Sequence, residues 1–173
     1  MRKLAAEELF QYAVRYLGGR ACSSDELKAR LRPRAARVAD VDATIARLKD
    51  IGYLNDQRFA ESYAAARLEN DGFGRLRVLS DLRSRRVAGK LAEKAVERAF
   101  AGQGESELIE AFIKRRMPSL IGAGPIDDER ALARAYRRLR RAGFTSGASL
   151  TALKRLAAHP ELIEEPPAED ENA

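Results

Sequence analysis

Three leucines, 51 and 57 residues apart, head a recurring apolar pattern that limits what this chain can fold into. Around Leu31, Leu82 and Leu139, apolar residues recur four positions before and fourteen and seventeen positions after each leucine. Because an α-helix repeats every 3.6 residues, each close pair lies on one helical face. The pattern predicts three helical repeats, each long enough for three helices. The additional positions are Leu27, Ile45, Leu48, Val78, Val96, Ala99, Ala135, Leu153 and Leu156.

Helix signals support this interpretation, although an Ala- and Leu-rich helical chain without repeats could give the same matches by coincidence. We predict a first helix over residues 4–17, ended by Gly18 and Gly19. Ser23 and Glu26, three residues apart, form a capping box for the next helix, which should end near Pro33. No stretch alternates polar and apolar residues over six positions, so no β-strand is predicted.

The predicted fold class is therefore all-α, with three tandem three-helix, helix-turn-helix-like repeats forming an elongated, curved array. The repeats are predicted over residues 4–54, 55–101 and 105–158. Residues 117–128 contain two Pro and two Gly and read as a loop inside the third repeat. Residues 161–173 carry six acidic and no basic residues, which predicts a disordered acidic tail.

Several function classes are excluded by what the chain lacks. A single Cys22 and a single His159 allow no intramolecular disulfide and no Cys/His zinc site. No phosphate-binding loop of the Walker type is present, so we predict no enzyme activity, no catalytic residue, no metal and no cofactor. No run of 18 apolar residues occurs, and Glu7 and Glu8 interrupt any signal peptide, which predicts a cytoplasmic protein without membrane contact.

The positive charge is concentrated outside the tail. The whole chain has a net charge of +6, so residues 1–160 carry +12 once the six acidic tail residues are set aside. Arginines cluster around each of the three repeat leucines, and guanidinium groups bind phosphate or carboxylate in bidentate fashion. The candidate contact residues for a protein partner or nucleic acid are Arg32, Arg34, Arg37, Arg83, Arg85, Arg86, Arg137, Arg138, Arg140 and Arg141.

This basic surface has three interpretations: a solvated face, a nucleic-acid site, or a docking site for an acidic protein. No recognition-helix signature with Asn or Gln flanking Arg is present, so sequence-specific base reading is not favoured. Aromatic residues make up only 6% of the chain and Trp is absent, so few side chains could stack on bases as they do in single-strand-binding proteins. We also hypothesise that the acidic tail mimics phosphate and shields the basic surface; deleting residues 161–173 should then tighten binding at low salt.

A longer motif points to a family. Residues 52–63 read GYLNDQRFAESY, and Arg67, Gly72, Gly74 and the pair Arg77-Val78 follow before Leu82. This run resembles the central signature of the RecX regulatory proteins. Residues 20–31 resemble the first repeat of that family, and residues 140–145, RRAGFT, resemble the start of the last helix in its third repeat. Arg85-Arg86-Val87 departs from the Lys-Gly-Ile type of turn common there.

The resemblance implies a function. RecX proteins are tandem three-helix-repeat proteins that bind RecA recombinase, lie in the groove of the RecA–DNA filament, and inhibit ATP hydrolysis and strand exchange. For this chain it implies a monomer whose partners are the RecA filament and, weakly and non-specifically, single- and double-stranded DNA. Two alternatives stay open: a non-specific DNA-binding architectural helical protein, and a protein-interaction scaffold with no nucleic-acid role.

Overall fold

The fold is all-α, as predicted. A computed structural model of the chain describes residues 3–121 and 124–163. Most of the predicted tail, from residue 164 onward, and residues 122–123 of the predicted loop lie outside the described residues. Within them, no helix is long and apolar enough to cross a membrane. The α-helices are α1 (Ala6–Gly19), α2 (Ser24–Leu31), α3 (Val38–Asp50), α4 (Asp56–Ala66), α5 (Arg75–Ser84), α6 (Gly89–Ala99), α7 (Glu105–Arg116), α8 (Glu129–Ala142) and α9 (Ser146–Lys154).

Three short helical segments complete the described chain. The sequence pattern extends the fourth helix to Gly72, whereas the structure ends α4 at Ala66 and continues as a π-helix over Arg67–Asp71. Turns of 3₁₀-helix cover Pro118–Leu120, inside the predicted loop, and Pro160–Leu162. The described residues divide into two compact units: 3–65 with 79–99, and 66–78 with 100–121 and 124–163. The boundaries of the three repeats stay a prediction.

In the first unit, α1, α2 and α3 pack around one apolar core. Leu9, Leu27, Leu31 and Leu48 are completely buried there. The Ser23 half of the predicted capping box is confirmed, because the Ser23 hydroxyl accepts a hydrogen bond of 3.1 Å from the backbone N–H of Glu26. The Glu26 carboxylate instead pairs with Arg20 and Arg85. A capped helix start leaves fewer unsatisfied N–H groups beside the core.

The second unit has its own core, built on α7, α8 and α9. Phe112 of α7 meets Phe144 edge to face, with ring centroids 5.5 Å apart, a favoured arrangement for aromatic pairs. Leu139 of α8 and Ile109 of α7 are completely buried in the same cluster. Asp128 caps α8 through a 2.9 Å bond from the Arg130 N–H.

The apolar pattern that defined the predicted repeats coincides with the core. Leu31, Leu82 and Leu139 all have zero exposure, and they lie in α2, α5 and α8. Of the twelve aligned positions, only Ala99 and Leu156 are half-buried rather than buried. The periodicity therefore identified core positions correctly.

Two glycines let backbones meet at close range in the second unit. The N–H of Gly74 donates to the carbonyl of Ala142 at 2.7 Å, and the N–H of Leu76 donates to the carbonyl of Gly143 at 3.2 Å. A Cβ on Gly74 would lie 2.6 Å from the carbonyl carbon of Gly143, and one on Gly143 would lie 2.8 Å from the Cα of Arg77. Gly143 also has φ +90, a left-handed conformation that closes α8.

Each unit contains one isolated bridge between extended residues. In the first unit Leu4 pairs with Ala35, with its N–H donating to the Arg34 carbonyl at 2.7 Å. In the second unit Ile126 pairs with Ala157, with its N–H donating to the Leu156 carbonyl at 2.7 Å. The first bridge joins the segment before α1 to the segment after α2, and the second joins the segment before α8 to the segment after α9.

Arg86 adopts a backbone conformation that arginine rarely takes. Its φ is +59, and among the described residues it is the one non-glycine with positive φ. The position follows α5, at the turn where the sequence departs from the pattern of the family that it resembles. The left-handed conformation brings Cβ close to the neighbouring carbonyl and costs roughly 1–2 kcal/mol.

We expect Arg86→Gly to raise the free energy of unfolding by about 0.5–1 kcal/mol. Glycine removes the steric cost at positive φ, while its larger entropy in the unfolded chain offsets part of that gain. Urea denaturation followed by circular dichroism measures the change. Arg86→Ala, which removes the same side chain but keeps Cβ, is the matched control and should give no such gain.

Candidate partner and nucleic-acid interface

Helix α8 carries the densest positive charge of the second unit. Six of its fourteen residues are arginine, and its one acidic residue is Glu129 in the first turn. Ala135, Leu139 and Ala142 are buried on its core-facing side. Because these small and apolar residues anchor the helix to the core, the arginines occupy the remaining sides, and Arg137, Arg138 and Arg141 are exposed.

The α8 arginines are only partly neutralised. The Arg134 guanidinium lies 3.4 Å from the Asp128 carboxylate. Arg140 donates to the backbone carbonyl of Phe144 at 2.7 Å, and Arg141 donates through Nε to the carbonyl of Arg137 at 3.3 Å. Within the part of the chain that the structure describes, Arg137, Arg138 and Arg141 pair with no carboxylate. Their charge is therefore available to a ligand.

The cluster that follows α2 in the first unit has a different environment. Arg37 forms a forked pair with Asp40, with nitrogen–oxygen distances of 3.0 and 3.3 Å. Arg34 donates to the carbonyl of Arg30 at 3.2 Å and lies 5.0 Å above the ring of Tyr12. Arg32 is exposed and has no ion pair among residues 3–121 and 124–163.

The cluster at the end of α5 is held largely by first-unit partners. Arg83 lies 3.2 Å from Glu93, and Arg85 lies 3.4 Å from Glu26. The Arg85 guanidinium also lies 5.2 Å from the centroid of Tyr63, a cation–π arrangement, and its side chain is only 24% exposed. Removing Arg85 would therefore disturb packing as well as charge.

The backbone of Arg85 has a further partner. Its carbonyl accepts a hydrogen bond of 2.6 Å from the hydroxyl of Ser23, the residue that caps α2. The Ser23 hydroxyl thus bonds an N–H group at the start of α2 and a carbonyl group just after the end of α5. Arg86, next in the chain, is exposed.

Only some of the predicted contact arginines have a carboxylate partner. In the first unit Arg37, Arg83 and Arg85 are matched by carboxylates, which weakens the field they project toward a ligand. Arg32 and Arg86 of the first unit, and Arg137, Arg138 and Arg141 of α8, have no carboxylate partner among the described residues. The sequence clusters looked equivalent, and the distribution of carboxylate partners separates their members.

Arg116 is a candidate that was not among the predicted contacts. It ends α7, and its guanidinium shares one pocket of the second unit with Arg138 and Arg141. The run Lys114-Arg115-Arg116 in the last turn of α7 is the sequence signal that could have indicated it. Cations at a helix C-terminus also have a structural explanation, which makes the signal ambiguous in sequence alone.

Cys22 and Glu61 are two groups whose pKa is shifted in the structure. Burial raises the pKa of the Cys22 thiol to about 11, so the thiolate needed for nucleophilic attack is scarce at neutral pH. The pKa of Glu61 is lowered, first by its hydrogen bond from Gln57 and then by Arg98. No group of three or more metal-binding side chains occurs among the described residues.

Comparison with known proteins identifies the family. Residues 55–96 match the family model for the second three-helix domain of RecX. The regulatory protein RecX of Deinococcus radiodurans is 32% identical over 156 residues, which cover 90% of this chain and 72% of that protein. The chain belongs to the RecX family. The regulatory protein RecX of Trichlorobacter lovleyi is likewise 32% identical, over 78% of this chain and 86% of that protein.

Solved RecX structures share the fold. The crystal structure of RecX from Lactobacillus salivarius superposes with a TM-score of 0.65, covering 87% of this chain and 96% of that one. At 19% identity this match concerns the fold alone. The all-α architecture of this RecX-family chain is therefore found in a solved relative.

The residues that carry the RecX signature are mostly architectural in this chain. Gly52 ends the α3 region with φ +76, and the Asn55 side chain accepts the N–H of Arg58 at the start of α4. Arg67 pairs with Asp71 at 2.8 Å. The guanidinium of Arg58 is the exception, because it is exposed and pairs with no carboxylate in the described chain.

Proposed function

We propose that this RecX-family chain binds a RecA-type recombinase and its DNA filament and modulates them, mainly by inhibition. The affected activities are ATP hydrolysis, filament growth and strand exchange, so the chain regulates recombinational DNA repair. The proposal makes it a cytoplasmic, monomeric regulator without enzyme activity. The family membership supports it, as do Arg137, Arg138 and Arg141, which have no carboxylate partner among the described residues.

The observation that carries the proposal is that Arg137, Arg138 and Arg141 are exposed and meet no carboxylate within residues 3–121 and 124–163. DNA phosphates and protein carboxylates both bind guanidinium groups. A surface of this kind binds a composite of protein and DNA more strongly than either alone, because the two sets of interactions act together.

A non-specific DNA-binding architectural role is the second candidate, and the same arginines favour it. Such a protein binds bare DNA strongly, with an affinity that falls steeply as salt rises. A filament regulator instead acts at concentrations where bare DNA stays unbound. The two functions are therefore separated by comparing the filament with naked DNA under one set of conditions.

The test is the DNA-dependent ATP hydrolysis of RecA, titrated with this protein at two salt concentrations. We expect inhibition well below one molecule per recombinase protomer, at concentrations that leave bare DNA unbound in a parallel binding assay. ATP hydrolysis that falls only as the DNA becomes coated would favour the architectural role. Hydrolysis that does not change at all would contradict both.

A further inference from the structure

A pocket of about 290 Å³ in the second unit brings together residues from three segments of the chain. We call it the Phe73 pocket. Phe73 and Phe112 supply its apolar surface, and guanidinium groups from α7 and α8 line its sides. Its lining residues are Asp71, Phe73, Phe112, Arg116, Arg138, Arg141 and Ala142.

The charge of the Phe73 pocket is positive and unbalanced. Three guanidinium groups face one carboxylate, that of Asp71, which already pairs with Arg67 at 2.8 Å. Arg116 is the other cation near Asp71, at 3.8 Å. Arg138 and Arg141 pair with no carboxylate in the described part of the chain. The pocket therefore attracts an anion.

One of the three guanidinium groups is already held in place. Arg116 reaches the carbonyls of Asn70 and Asp71, at 3.4 and 3.5 Å, and its neighbour Arg115 donates to the carbonyls of Glu69 and Asn70. These hydrogen bonds fasten the end of α7 to the π-helix. A guanidinium fixed before the ligand arrives loses less side-chain entropy on binding.

We propose that the Phe73 pocket binds a phosphate group of single-stranded nucleic acid, with the attached sugar or base against Phe73. The inference rests on the proposed function, since it assigns the DNA contact of the regulator to a defined pocket. It also names a site that neither the arginine clusters nor the family membership specifies.

Phosphate suits the pocket better than carboxylate does. A carboxylate has two oxygens and can bind a single guanidinium in a forked pair, as Asp40 binds Arg37. Three guanidinium groups offer many more donors than that, and they come from two helices. The non-bridging and ester oxygens of a phosphate can accept from several directions at once.

A single strand suits the pocket better than a duplex does. Phe73 is half-buried, with the guanidinium groups of Arg67 and Arg77 at 5.7 and 5.2 Å from its ring centroid, whereas Phe112 is only 6% exposed. The open part of the Phe73 ring can pack against a sugar or an unpaired base. In a duplex the bases are stacked and paired, so only phosphates and sugar edges would reach the pocket. The apolar part of the pocket would then stay exposed to water.

The test compares two double variants of the full chain. Arg138→Ala with Arg141→Ala removes two pocket guanidiniums, whereas Arg130→Ala with Arg134→Ala removes two exposed arginines of the same helix that do not line the pocket. Both change the net charge equally. Fluorescence anisotropy with a labelled oligothymidylate of about 15 nucleotides measures binding at several salt concentrations. Thermal melts establish that both variants fold.

We expect the pocket variant to bind about tenfold more weakly at low salt, and the control variant to change by about twofold or less. The slope of log K against log salt should fall by about 0.7 for each phosphate that the variant no longer neutralises. Equal weakening in the two variants would overturn the inference, because charge alone would then explain binding. Displacement of the oligonucleotide by polyglutamate at equal charge would overturn it as well, in favour of an acidic protein ligand.

Further arms identify the phosphate and separate the two hypotheses. If a 5′-phosphate on the oligonucleotide strengthens binding to the parent chain but not to the pocket variant, the ligand is a terminal phosphate. If the 5′-phosphate changes the affinity of neither protein, the ligand is an internal phosphodiester.

RecA ATP hydrolysis is measured in parallel. If the parent chain inhibits hydrolysis but DNA binding weakens equally in both variants, the pocket inference is contradicted and the proposed function is not. No inhibition by the parent chain would sink the proposed function alone.

Discussion

Replacing Gly143 by Ala should lower the free energy of unfolding by about 2–5 kcal/mol, the largest stability effect we expect in this chain. Two costs add. The φ of +90 is unfavourable for any residue with Cβ, at roughly 1–2 kcal/mol. The new Cβ would also lie 2.8 Å from the Cα of Arg77, and relieving such an overlap costs typically about 1–3 kcal/mol. A thermal melt should show the midpoint lowered by about 10 °C.

Gly147→Ala in the same unit is the matched control. No atom outside the local helix lies within 4 Å of the Cβ that it would gain, and Gly147 lies inside α9. Alanine is a better helix former than glycine, so stability should stay equal or rise by up to about 1 kcal/mol. A Gly143→Ala melt as high as that of Gly147→Ala would show that the backbones do not approach closely there.

Reversing the charge of Arg137 and Arg138 together, to Glu, should abolish inhibition of RecA ATP hydrolysis at concentrations where the parent chain inhibits fully. Both side chains are exposed and have no carboxylate partner in the described residues. The reversed charge therefore acts directly on a bound ligand. Removing an arginine that binds a phosphate weakens binding and lowers the salt slope by about 1. We expect the half-inhibitory concentration to rise by at least about tenfold, with helicity by circular dichroism unchanged.

The control is Lys90→Glu with Lys94→Glu on α6, which changes the net charge of the chain by the same amount. Both lysines are exposed, and neither belongs to the α8 surface. If the effect comes from local interactions of α8, this variant should inhibit nearly as well as the parent. An equal rise in the half-inhibitory concentration of both variants would mean that overall charge, rather than α8, governs binding.

Much of the fold could be predicted because its signals are local. Ser23 caps α2 as its spacing to Glu26 indicated, and the leucines of the repeat pattern are the core. The π-helix after Ala66 could not be read from the sequence, since its residues also suit an α-helix. The close approach of Gly74 to Gly143 was equally hidden, because it joins residues far apart in the chain.

The candidate site was harder to predict because charge compensation is a long-range property. Arg85 and Glu26 are 59 residues apart, and no local pattern announces that they meet. The arginine clusters in the two units therefore look alike in the sequence, although only some of their members keep an uncompensated charge. Arg116 was missed for the same reason, since it lies near α8 in space and not in sequence.

The two extended bridges have a consequence for where this protein opens first. Helix ends normally fray, and proteases attack frayed termini. Here the strand-like pairing of Leu4 with Ala35 holds the segment before α1 against the segment after α2. The pairing of Ile126 with Ala157 likewise holds the segment before α8 against the segment after α9. Peeling back either segment requires two backbone hydrogen bonds to break together with core packing. Local opening should therefore begin in the inner connections between helices, and not at these fastened segments.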